Sequence, residues 1–136
     1  MSNRHIVRVL SIAAVAAAAL APVAGAEQPE TVMITLRPKP GAERALVQTI
    51  ARHYETAQKL HLLGEDTPHV TLQASDDQDK TYFVDIFTWR DADVPDHAPS
   101  EIQAIWKEMN SLVETRGGRP ALDIVPVKPV ALTPAK

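Results

Sequence analysis

The run TYFVDIFTW at 81–89 constrains the fold most. It is rich in β-branched and aromatic residues and holds no Gly or Pro, so it reads as a strand. Tyr82, Val84 and Ile86 fall on one face, and Phe83, Asp85, Phe87 and Trp89 on the other. Both faces are largely apolar. Such a strand needs cover on both sides, which places it at the centre of a sheet. The other elements have to be arranged around it.

Four segments supply the arrangement. VMITLR (32–37) alternates and reads as a strand, stopped by Pro38 and Pro40, which cannot donate to a ladder. From Ala42 the period changes to 3.6. Leu46, Ile50, Tyr54 with His53, Ala57 and Leu60 recur along a helix that Gly64 is expected to close. HVTLQA (69–74) alternates again and faces 81–89 across the Asp-rich turn 75–80, which predicts a hairpin. After the loop 90–99, Ser100 and Gln103 have the spacing of a capping box. Ile102, Ile105, Trp106, Met109, Leu112 and Val113 continue as an apolar stripe up to Gly117-Gly118. ALDIVPV (121–127) is a last strand, with Pro126 marking a sheet edge.

The order β-α-β-β-α-β predicts an α+β, ferredoxin-like fold: a four-stranded antiparallel sheet with two helices on one face. Right-handed crossovers put the first and third strands at its centre. The helix-covered face is expected to hold Val32, Ile34, Leu36, Val70, Leu72, Val84, Ile86, Leu122 and Ile124. The other face then carries Met33, Thr35, Thr71, Phe83, Phe87, Trp89, Val125 and Val127. At ~25 cal/mol per Å², two Phe and a Trp left wet would make a sticky surface. A homodimer through that sheet face is the expected solution, with the two sheets closing into a barrel.

The first 26 residues are read apart from this domain. Arg4 and Arg8 form a basic head, 9–25 is an uncharged apolar run, and Ala24-Gly25-Ala26 supplies the small residues of a cleavage site. This is the pattern of a signal peptide that is removed, leaving no stable membrane anchor and a periplasmic or secreted protein. The domain is expected over 31–128, followed by a flexible tail at 129–136. Loss of Arg4 and Arg8 would deepen the formal charge of −3 by two. An acidic surface without a basic, aromatic-bearing patch argues against nucleic acid as a partner. Cysteine is absent, which excludes thiolate–metal sites and thiol catalysis.

Candidate chemistry gathers near the end of the central strand. His97 titrates near neutrality when unperturbed and can serve as acid or base, or it can simply fix the start of the second helix. Asp85, mid-strand among aromatics, is either salt-bridged, with Arg37 or Arg90 as partner, or a proton-transfer group with a raised pKa. Trp89, Trp106, Tyr54 and Phe87 can shape a pocket for a flat apolar ligand, although the position of Trp106 in the middle of the helix stripe is more that of a core residue. His53 and His61 are eight residues apart and lack the i, i+4 spacing of a helical metal site, so no metal is expected.

The first strand running into Pro40-Gly41 and a long helix, the strand ending Phe87-Thr88-Trp89-Arg90-Asp91, and His97 in DHAPSEIQAIWKEM carry a resemblance. In these features the chain resembles the dimeric α/β-barrel domains of the antibiotic biosynthesis monooxygenase type. That resemblance implies a cofactor-independent monooxygenase acting on a small aromatic or polyketide-type compound, with the substrate between helices and sheet. It also implies a haem-degrading branch, which requires an Asn on the first strand. VMITLR has none. The alternative is a non-catalytic periplasmic dimer that binds a small apolar or aromatic ligand in the same cleft or responds to stress, and haem binding is a third reading.

Overall fold

The computed structural model describes residues 28–65 and 68–135. The expected signal peptide lies outside the described residues. Strand β1 (Glu30–Leu36) leads into helix α1 (Glu43–Lys59), the hairpin strands β2 (Val70–Ser75) and β3 (Thr81–Trp89), helix α2 (Ser100–Ser111) and strand β4 (Leu122–Pro126). A short 3-10 turn, Val94–His97, precedes α2. The sheet order is β2-β3-β1-β4, with every pair antiparallel. The ferredoxin-like arrangement is present, and β3 and β1 are its central strands. Among the described residues no helix is long and apolar enough to cross a membrane.

The register corrects the expected division of faces. Val32, Ile34 and Leu36 of β1 pair with Phe87, Asp85 and Phe83 of β3. Paired residues share a face, so Phe83, Asp85, Phe87 and Trp89 lie under the helices, all buried with Val32, Ile34 and Leu36. The expected assignment holds for β1 and β4 and is inverted for β2 and β3. Both faces of β3 are apolar, and volume decides between them. The large aromatic rings fill the space beneath two helices, where close packing rewards them. The uncovered face instead carries Met33, Tyr82, Val84, Ile86 and the exposed Val70 and Leu72.

The helix ends also differ from expectation. Helix α1 stops at Lys59, and His61 takes the left-handed conformation (φ 56) in place of Gly64. The early stop lets Leu62 drop into the core and lays 62–64 beside the end of β3. There the Gly64 amide donates to the Thr88 carbonyl at 2.8 Å, and that of Arg90 to the Leu62 carbonyl. Gly64 is needed for this close approach, because a Cβ there would stand 2.9 Å from Cγ2 of Thr88. Helix α2 has no side-chain cap. Gln103 Nε2 donates to the Ala98 carbonyl, and its oxygen does not accept from the Ser100 N–H as a capping box requires. The helix ends at Ser111, and Gly117-Gly118 form a turn between Arg116 and Arg119 instead of a helix stop.

Candidate functional site

Helix α1 presents Leu46, Thr49, Ile50, His53 and Ala57 to the sheet, the i, i+3, i+4, i+7 stripe of an amphipathic helix. Helix α2 adds Ile102 and Met109. The Arg52 guanidinium reaches the Glu108 carboxylate at 2.6 Å and ties the helices together. Together they close over β3 and β1 but leave β4 largely bare, since Ile124 is 56% exposed although it shares the helix side with Ile34. A cavity of about 500 Å³ opens in this gap. Val32, Ile34, Trp89, Trp106, Met109, Leu122 and Ile124 form its apolar walls, and Glu30, Asp96, Asn110 and His53 are its polar members.

His53 is the buried polar residue of that wall. Its Nε2 accepts a hydrogen bond from Trp106 Nε1–H at 2.9 Å. The ring meets Phe87 and Trp89 edge to face, with centroids 5.5 and 5.7 Å away. Burial lowers its pKa from 6.5 to about 4. The Asp85 carboxylate opposes the shift, and His69 adds to it. The imidazole is therefore neutral at neutral pH. Trp89 and Trp106 stand nearly perpendicular, 6.4 Å apart, and give the cavity two aromatic surfaces.

A second polar cluster lies on the other side of Phe87. Asp85 Oδ1 accepts the Thr71 hydroxyl at 2.7 Å and sits 2.6 Å from His69 Nε2. The His69 ring stacks on Tyr54, centroids 3.9 Å apart and 15° from parallel. Neither Arg37 nor Arg90 reaches Asp85. Arg37 donates to the Pro120 carbonyl, and Arg90 to the His61 carbonyl and the Asp91 carboxylate. Its place on the dimer face is likewise corrected by the register.

The sequence candidates therefore separate. Trp89 and Trp106 line the cavity. Phe87 is buried behind them, and Asp85 belongs to the closed cluster with His69. Tyr54 faces a broad, more polar depression with Gln58, His61 and Arg90. His97 is exposed and lines a small pocket with Leu62, Arg90 and Asp93, while Pro95 and Asp96 of the same 3-10 turn face the cavity. Sequence reasoning weighed His53 only as a metal ligand or an edge-of-core or exposed histidine, and passed over His69. For His53 the signal was available, because it follows Leu46 and Ile50 on the stripe more closely than Tyr54 does. His69 stood at the edge of a short strand and offered no pattern. Among the described residues no group of three His, Asp or Glu is placed to hold a metal.

No protein-family model matches the chain, and no curated protein matches it. Solved structures do. An antibiotic biosynthesis monooxygenase superposes with a TM-score of 0.54 at 17% identity, over 75% of this chain and 99% of that one. A conserved protein of unknown function from Bacteroides thetaiotaomicron gives 0.54 at 13% identity, over 75% of this chain and 100% of that one. A Shewanella oneidensis protein gives 0.53 at 14% identity, over 74% and 90%. Identities this low speak to architecture and leave activity aside. The described residues have the fold of the antibiotic biosynthesis monooxygenase type.

Proposed function

We propose that this protein is exported, binds a small, flat, mostly apolar aromatic compound in the cavity beside Trp89 and Trp106, and oxidises it with dioxygen without a cofactor. The cavity carries the reading: about 500 Å³, two perpendicular indoles, aliphatic walls and few polar groups. That is the size and character of a pocket for a small organic ligand. The chemistry needs no outside reductant. An activated ring CH₂ loses a proton, and the resulting carbanion passes electrons to dioxygen and forms a C–O bond. The hydroperoxide then loses water, so CH₂ and O₂ become C=O and H₂O. The protein would contribute orientation and the exclusion of bulk water. His97 lines a separate small pocket, and the reading gives it no step.

The second reading is a periplasmic binder without catalysis. It is favoured by the state of His53, a weak base whose Nε2 is already engaged by Trp106. Oxygen uptake with anthrone, phenols and quinols separates the two. Stoichiometric uptake, lost in Ile124→Trp with the cavity filled, supports the oxygenase. Binding of these compounds without uptake favours the second reading, and absence of binding removes both. The uncovered sheet face supports a homodimer in either case. Val70, Leu72, Val84, Ile86 and Met33 form an apolar surface of the kind that partners bury. Light scattering of a stable monomer at micromolar concentration would remove that part.

A further inference from the structure

One ring nitrogen of the buried His53, in the cavity wall, makes no hydrogen bond to the described residues. His53 is 2% exposed, and its Nε2 receives the Trp106 indole N–H. An indole N–H can only donate, so Nε2 carries the lone pair and the imidazole proton resides on Nδ1. Burial reinforces this by keeping the ring neutral. Among the described residues no carbonyl, carboxylate or hydroxyl accepts from Nδ1; the neighbouring Phe87 and Trp89 rings offer no acceptor atom. The ring lines the cavity, so the cavity is where an acceptor can reach it.

Resting on the reading of this cavity as an aromatic-binding site, we propose that His53 Nδ1–H anchors one oxygen of the bound compound, a ketone carbonyl or an ionised ring hydroxyl. Trp106 is the positioning residue, because its N–H fixes the tautomer that leaves Nδ1 protonated. Among the described residues no Lys or Arg lines the cavity, so none offers a ligand carboxylate an ion pair there. An uncharged donor such as Nδ1–H matches an acceptor oxygen. If the compound loses a proton next to that oxygen, the developing negative charge strengthens the same bond, so it favours the transition state over the ground state.

The test uses two bicyclic probes of the same shape, α-tetralone with a carbonyl and tetralin without one, titrated calorimetrically. The wild type is expected to bind tetralone about tenfold more tightly, as suits a buried donor otherwise left unpaired. His53→Phe keeps the ring volume and should bind tetralin as before while losing the preference. Trp106→Phe should reduce the preference, because the proton becomes free to move to Nε2. Nitrogen NMR of the wild-type imidazole reads the tautomer without any substitution, and Nδ1–H is expected. A ring protonated on Nε2, equal binding of the two probes by the wild type, or an undiminished preference in a folded His53→Phe protein would each overturn the proposal. If the wild type binds neither probe, the cavity reading falls and this proposal with it.

Discussion

Two histidines lie on either side of Phe87 under the same helices, and the protein treats them in opposite ways. His69 is held by a carboxylate: its Nε2 meets Asp85, Thr71 completes the carboxylate's partners, and Tyr54 covers the ring face. His53 has one hydrogen bond, to Trp106, and its other nitrogen is unclaimed among the described residues beside an apolar cavity. The first cluster has the marks of a structural element, in which every buried polar group finds a partner. The second has the marks of a site, in which one partner has to come from outside. Burial sets the two rings apart as well, since His53 is hidden and His69 exposes 20% of its side chain.

Phe87 keeps the two clusters apart. Its ring stands 5.5 Å from His53 and 6.5 Å from His69, and it is 1% exposed. Phe87→Ala should have the largest effect, a loss of about 4 kcal/mol from lost burial and the void left behind. Urea unfolding measures it. A loss below about 1 kcal/mol would mean that the helices collapse into the gap and that Phe87 is not the wedge between the clusters.

The closed cluster is next. His69→Phe leaves Asp85 with Thr71 alone in a site that exposes only 4% of its side chain. Stripping a partner from a buried carboxylate is expected to cost about 3 kcal/mol. Replacing Asp85 by Leu in the same protein should recover part of that loss, because no carboxylate then remains buried. If the double variant is no more stable than the single one, the cluster owes its stability to ring packing on Tyr54 instead.

Burial of His53 also makes stability depend on pH. The folded-state pKa of His53 is lowered from 6.5 to about 4, so the unfolded chain binds the proton more readily between these values. Its neutral form therefore supports the fold fully above about pH 6.5. That stability declines as pH falls towards 4, by at most about 3 kcal/mol. Denaturation of the wild type and His53→Phe at a series of pH values isolates the contribution. The variant should lack this part of the decline, and parallel curves would show that His53 is not held neutral by burial.

Much of this architecture was legible before the structure. The change of period from 2 to 3.6 and back located six elements, and the two-sided run 81–89 located the sheet centre. The division of faces was not legible, because period 2 fixes which residues share a face but not which face looks inward. On β3 both choices are apolar, and a shift of one residue exchanges them. Asp85 showed the consequence. Read as a dimer-face carboxylate, it was matched with arginines, whereas its partners are His69 and Thr71, adjacent in space through the β2–β3 pairing. Trp89 and Trp106 were legible as pocket residues because large aromatics near a strand end and on a helix stripe converge wherever the helix packs on that strand. His97 misled for a local reason. Its 3-10 turn places Pro95 and Asp96 at the cavity and His97 at a separate small pocket, and a change within three residues leaves no periodic trace.

The smallest effect sharpens the contrast most. At pH 8, His53→Phe keeps a ring among Phe87, Trp89 and Trp106 and removes only the acceptor of the Trp106 N–H. That indole lines an open cavity, so water can replace the lost imidazole, and the expected cost is about 1 kcal/mol. The Asp85 cluster has less recourse, because the carboxylate exposes only 4% of its side chain. The midpoint of urea unfolding, with its slope unchanged, gives the comparison directly. A His53→Phe loss as large as that of His69→Phe would mean that both histidines are structural and that the cavity is a packing gap. A loss near 1 kcal/mol, beside the larger one across Phe87, is the asymmetry expected where one polar group is kept for the fold and the other for a ligand.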